Sequence, residues 1–133
     1  MSKGYIAIAQ NNDKYDYLKM AYALALSLKA TQKENKLCIC VDEKTKYALT
    51  DKYKEVFDHV VDIPWNDDAG ADTWKIHNKW KYAHMTPFKE SIILDTDMVF
   101  THSVDHWWDY LSKKDMCVSV SYTHLTLPTM MAV

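Results

Sequence analysis

Short apolar runs separated by amphipathic stretches of helical length most restrict how this chain can fold. Residues 5–9 (YIAIA), 37–41 (LCICV), 59–63 (HVVDI) and 91–94 (SIIL) are too short for helices and largely apolar, which is the pattern of strands buried on both faces. Between the first two, Leu18, Ala21, Tyr22, Ala25 and Leu28 fall at three- and four-residue spacings and predict a helix over 15–30. Leu49, Tyr53, Val56 and Phe57 predict a second helix over 45–57. A loop at 66–73 and a third helix over 74–85 follow Pro64, which stops the third strand. Strands spaced by helices pair in parallel through right-handed crossovers, so the expected fold is an α/β layered sheet, mostly parallel. Ligands of such sheets bind beyond the carboxyl ends of the strands. Three of the four runs end in polar clusters, at Gln10 to Asp13, at Asp42-Glu43 and at Asp95-Thr96-Asp97, and these should share one rim.

Composition removes several functions. The net charge of -2 gives no basic footprint for nucleic acid, and 48% hydrophobic with 26% charged residues rules out wholesale disorder. A length of 133 residues suits one domain. The apolar stretch 20–28 (MAYALALSL) is too short to span a bilayer and lies behind Asp13 and Asp16, so a buried helix is expected and no membrane segment. Cys38 and Cys40 alternate on one strand and should share a face as buried thiols, while Cys117 stands alone. An odd cysteine count behind no secretory leader argues against a disulfide framework and points to a cytoplasmic chain. His77, His84, His102 and His106 show no zinc-type spacing.

Asp95-x-Asp97 carries the sharpest chemistry. In extended chain the side chains at i and i+2 share a face, so both carboxylates can reach one point at the strand end. Two hard oxygen ligands with open positions suit Mg²⁺ or Mn²⁺ that also binds phosphate oxygens. The plainer reading is a solvated strand end, where Asp is common, and a bare D-x-D leaves both open. Lys75, Lys79 and Lys81 form a charge run that reads first as a solvated helix face, although one or two could approach a diphosphate. Trp74, Trp80, Trp107 and Trp108 could be sugar-stacking platforms, but Trp at helical spacing is more often core. Asn78 is a candidate for a sugar or ribose hydrogen bond.

Several of these residues occur together in one order. Asn12-Asp13-Lys14-Tyr15 follows the first strand, Ser27-Leu28-Lys29 closes the first helix, Lys79 precedes Asp95, and Ile92 to Val99 reads IILDTDMV. In this the chain, from Gly4 to Val118, resembles glycosyltransferases of the GT-A fold, and among them the family 8 (glycogenin-like) group. The resemblance implies a Rossmann-like GT-A sheet, cut short after the D-x-D region, that binds a nucleotide-sugar donor, of UDP type. It implies nucleotide-sugar contacts at Ala9, Gln10, Asn11, Asn12, Tyr15, Lys79, Asp95 and Thr96, with Tyr15 stacking on the base and Asp95 on the ribose. It implies Mn²⁺ (or Mg²⁺) on Asp95 and Asp97, and retention at the anomeric carbon. In the family the acceptor site and a His completing the metal shell lie beyond the matched region, so neither catalytic residues nor the acceptor are named here.

From Met116 to Val133 there is no Asp, Glu, Lys or Arg. Within that stretch, residues 120–129 (VSYTHLTLPT) resemble the translation of a transposon adapter used in sequencing libraries. The expectation is therefore a native donor-binding half over 1–119, with 116–120 as a core strand, and a non-native tail over 120–133. Two other readings compete. Asp95-Thr96-Asp97-Met98-Val99 also fits the D-x-D-x-[TV] motif of haloacid-dehalogenase-like phosphatases, with Asp95 as nucleophile, but that motif normally opens its fold, and three strand–helix units precede it here. A non-catalytic nucleotide-binding module, or a fragment without activity of its own, is the third.

Overall fold

Burial on both faces is what the apolar runs demand, and the sheet supplies it. The structure, a computed structural model, describes residues 2–65, 78–115, 117–120 and 129–132. Strands β1 (Lys3–Ala9), β2 (Leu37–Val41), β3 (His59–Asp62) and β4 (Glu90–Ile93) pair in parallel in the order β3-β2-β1-β4. Tyr5 lies opposite Leu37 on one side and Ile92 on the other. Helices α1 (Tyr17–Thr31), α2 (Glu43–Lys46) and α3 (Asp51–Val56) connect β1, β2 and β3. A 3-10 turn (Lys79–Lys81) and α4 (Tyr82–Met85) precede β4, and α5 (Trp107–Leu111) follows it. This is an α/β layered fold with a parallel sheet.

Alternate residues of each strand divide between two cores. Tyr5, Ala7, Ala9, Leu37, Ile39 and Val41 pack with Leu18, Leu24 and Leu28 of α1, Phe57 and Trp108. Ile6, Cys38 and Cys40 pack on the other face with Tyr82, Met85 and Phe88. The two cysteines thus share a face as free, buried thiols. The adjoining Cys38 thiol, together with burial, pushes the Cys40 thiol up, so it stays protonated. Trp107 and Trp108 both belong to the first core, which settles their packing role.

Local hydrogen bonds set where the helices differ from their periodicity. α1 begins at Tyr17, later than expected, because Asn12 Oδ1 accepts from the N–H groups of Lys14 (2.9 Å) and Tyr15 (2.7 Å) and holds them in a turn. Asp16 then caps the helix, accepting from Lys19 N–H at 3.0 Å. The helix expected over 45–57 is broken in two. Asp42 Oδ1 accepts from Thr45 N–H at 2.8 Å and caps the single turn of α2, and an extended Thr50 (φ -103°, ψ 170°) restarts the chain as α3. Leu49, Tyr53, Val56 and Phe57 still reach the first core, so their spacing reports the buried side and misses the break.

Residues 66–77, with the expected loop and Trp74, Lys75 and His77, lie outside the described residues. The described part of the expected helix over 74–85 is a 3-10 turn followed by one α-helical turn, after which Pro87 prevents continuation. β5 (Cys117–Val120), within the core strand expected over 116–120, pairs antiparallel with β6 (Thr129–Ala132) in a separate two-stranded sheet. Among the described residues no helix is long and apolar enough to cross a membrane.

The end of α1 is clamped by side chains. Gln32 Nε2 donates to the His102 carbonyl (2.8 Å), and Gln32 Oε1 accepts from Val104 N–H (2.6 Å). Asp105 accepts from Lys33 N–H (3.1 Å), Glu34 N–H (3.3 Å) and the Ser103 hydroxyl (2.8 Å). Burial acts to raise the Asp105 carboxyl, but these bonds and the Lys33 charge outweigh it and hold the group below its ordinary 3.8. A depressed carboxyl stabilises the fold fully above its ordinary value, and that contribution fades as pH falls through the lower folded-state value. Asp105→Asn should therefore flatten the acid limb of the Tm–pH curve below about pH 4 relative to the parent. A second test concerns Gly4, opposite Ser91 on β1, where a Cβ would overlap the buried Phe88 ring. Gly4→Ala should cost about 1–3 kcal/mol in urea unfolding through overpacking.

Candidate functional site

The strand order defines where a ligand would sit. The chain steps from β1 to β2 to β3 in one direction and then returns to β4 on the opposite side of β1. The connections therefore diverge between β1 and β4, which makes the carboxyl ends of these two strands the switch point, the place where open α/β sheets bind ligands. The last shared rung has Leu94 N–H donating to the Ile6 carbonyl at 2.9 Å. At the next position on that side of β1, Ile8 N–H donates to the Tyr82 hydroxyl at 3.2 Å, so a side chain takes over where β4 leaves. Burial, opposed by that hydrogen bond and aided by Cys40 and Asp95, pushes the Tyr82 phenol above its ordinary value, so it remains a neutral hydroxyl.

A chain of buried and part-buried hydrogen bonds builds the floor of this rim. Asn78 Nδ2 donates to Gln10 Oε1 at 2.9 Å, and Gln10 Nε2 donates to Asp42 Oδ2 at 3.2 Å. Beyond Asp42, which caps α2, the Thr45 hydroxyl accepts from Asn11 N–H at 2.8 Å. Asn11 Oδ1 in turn accepts from Leu18 N–H at 3.0 Å, which ties in α1. Gln10, Thr45 and Asn78 are all buried. Of the residues expected to contact a ligand, Gln10 thus directs its amide into the protein, and so does Asn78.

The charged groups lie on the outer side. Beyond β4, Leu94 and Thr96 are buried while Asp95 and Asp97 are exposed, so the strand's alternation carries through the bend at Thr96 and Asp97. Lys79 Nζ meets Asp95 Oδ1 at 2.8 Å, an exposed pair. Burial first, then Tyr15, then the Asp97 carboxylate raise the Tyr17 phenol above its ordinary value, against a hydrogen bond with Asn12. Tyr15 is half-buried, with its ring 5.8 Å from that of Tyr17 and Lys14 Nζ 5.3 Å from its centroid. Asn12 lies at the turn below them, its side chain accepting the two backbone donors already described. Ala9, the last residue of β1, is fully buried.

Asp95 and Asp97 offer hard carboxylate oxygens, the donor type that Mg²⁺ and Mn²⁺ take. Among the described residues no group of three or more His, Cys, Asp or Glu is placed to hold a metal. A pair of carboxylates leaves coordination positions for phosphate oxygens and water, so the donor chemistry fits an ion that arrives with its ligand.

The 3-10 turn sorts four successive residues. Side chains three apart eclipse in such a turn, and Lys81 N–H donates to the Asn78 carbonyl at 3.0 Å. Asn78 and Lys81 are both buried, while Lys79 and Trp80 between them are exposed. Lys79 turns to Asp95, and Trp80 turns to Trp65. Sequence reasoning placed Asp42 on the rim but missed Thr45 and the Tyr82 hydroxyl. Asp42-x-x-Thr45 has the spacing of a helix cap and could have been found; nothing local marks Tyr82. No family model matches the chain, and no curated protein matches it.

Replacing Gln10 by Leu keeps the volume but removes the amide's bonds to Asn78 Nδ2 and Asp42 Oδ2. Gln10→Leu should cost about 1–3 kcal/mol in chemical unfolding, and pairing it with Asn78→Leu should be less than additive.

Proposed function

We propose that the chain binds a nucleotide-sugar donor of UDP type at the carboxyl ends of β1 and β4, as the donor side of a GT-A glycosyltransferase of family 8. The observation that carries this reading is the placement of Asp95 and Asp97 at the switch point with Lys79 Nζ 2.8 Å from Asp95. Asp95 and Asp97 would hold Mn²⁺ or Mg²⁺. When bound, the ion neutralises charge developing on the leaving diphosphate.

The protein's own groups have separable tasks. Without an ion, Asp95, Asp97 and Lys79 together carry a net negative charge that would repel a diphosphate; a divalent cation reverses that sign. The Lys79–Asp95 pair is exposed and contributes only about 0–1 kcal/mol, so Lys79 can leave Asp95 for a phosphate oxygen at little cost. Tyr15, half-buried and set by the Asn12 turn, would stack on the base, and Thr96 is held inward while its two neighbours face out. The same reading assigns residues 1–119 to donor binding and leaves the acceptor side to chain beyond the match.

A phosphatase would also use Asp95 beside a lysine, but β4 is preceded by three parallel strands, where a motif-first fold would open on it. Isothermal titration of the chain with UDP in Mn²⁺ should show metal-dependent binding that Asp97→Asn abolishes. Unchanged affinity in that variant would sink the metal assignment. Absence of any UDP–Mn²⁺ protection in thermal unfolding would favour a module without donor binding.

A further inference from the structure

The rim carries a second feature on the side of β3. Trp65, just after that strand, and Trp80 lie parallel, with ring centroids 5.7 Å apart and planes within 5°. They are 65% and 59% exposed, unusual for side chains that dominate cores when they can be buried. His84 of α4 stands edge-on to both rings, at 5.0 and 6.2 Å. Trp65 has a φ of 60°, a left-handed conformation disfavoured for a bulky residue. Buried Lys81 donates from Nζ to the Pro64 carbonyl at 3.1 Å and ties the two supporting segments together.

From Trp65 the surface continues into a groove of about 950 Å³ along the ends of β2 and β3. Tyr47, 82% exposed, lines it, with Glu43, Lys46, Lys54 and Asp62 supplying polar groups and Lys46 Nζ meeting Asp62 at 3.0 Å. A purely apolar occupant would leave these charges desolvated without partners. A nucleotide would bring phosphate to the Asp62, Glu43 and Asp42 carboxylates. A cation would meet Lys46 and Lys54, with Lys81 already 5.6 Å from the Trp80 ring. What remains is a neutral ligand with one flat apolar face and a polar edge.

We propose that Trp65, Trp80 and the adjoining groove bind a neutral saccharide. A pyranose ring lays its C–H face on the outward face of one of the two stacked indoles, and its hydroxyls, or those of the next sugar, hydrogen-bond along Asp62, Lys46 and Glu43. The site does not depend on donor binding at the β1–β4 switch point, and the two fail separately.

Tryptophan emission of the full chain, titrated with maltohexaose and with cellohexaose, tests this, with UMP and choline as the charged probes. A saturable change with at least one hexasaccharide is expected, together with about tenfold weaker binding in Trp80→Ala, the order expected for losing one aromatic stack. Tyr47→Ala, also at an exposed side chain, should weaken binding without altering the far-UV spectrum. The proposal is overturned if neither sugar binds, if Trp80→Ala binds as well as the parent, or if UMP or choline occupies the indoles in their place. It is likewise overturned if sedimentation shows a dimer that Trp80→Ala dissociates, since the surface would then be a contact between copies.

Discussion

The hydrogen-bonded chain from Asn78 through Gln10, Asp42 and Thr45 to Asn11 and Leu18 is the constraint on which the upper rim depends. Its members come from the exits of β1 and β2, the first turn of α2, the start of α1 and the turn before α4. Apolar packing fixes the strands below this level, but packing is indifferent to how loops leave a sheet. Buried amides and a carboxylate are not indifferent, because each unmatched donor or acceptor costs about 1–3 kcal/mol. The loops that would touch a ligand therefore stand on a polar floor that permits few arrangements.

Above that floor the charges are loosely held. Lys79–Asp95, Lys44–Asp13 and Lys46–Asp62 are exposed pairs, each weak in water and each able to exchange partners. Rigid support beneath exchangeable charge is what a site for a charged ligand requires, since binding then costs little reorganisation of the backbone. Tyr82 contributes in another way: by accepting from Ile8 N–H it satisfies β1 where β4 turns aside, so the two strands can part without an orphaned donor.

Much of this was legible in the sequence, for a simple reason. A strand buried on both faces has to be apolar throughout, so YIAIA and LCICV announced themselves, as did the periodic face of α1. What stayed hidden were decisions made by single hydrogen bonds. The run 45–57 keeps helical spacing because Leu49, Tyr53, Val56 and Phe57 face one core, and spacing cannot register that Asp42 and Thr50 open two separate helices. The family resemblance implies a nucleotide-sugar contact at Gln10; that its side-chain amide turns inward was not legible, because only Asn78 and Asp42 across the gap set that direction. Trp80 was read as core material at helical spacing, and its exposure follows from the change to a 3-10 turn. That change alters which residues eclipse, and no local residue announces it.

The turn from Asn78 to Lys81 shows how little chain is needed to divide a rim. Its outer residues face inward, Asn78 onto Gln10 and Lys81 onto the Pro64 carbonyl, and so fix the turn to the exits of β1 and β3 at once. Its inner residues then have no choice of side: Lys79 reaches Asp95 and Trp80 stacks on Trp65. Altering either anchor should disturb both surfaces together, whereas altering Lys79 or Trp80 should disturb one. Two surfaces of opposite character, one charged and one aromatic, are thus set by adjacent residues whose positions are determined by the same pair of buried side chains.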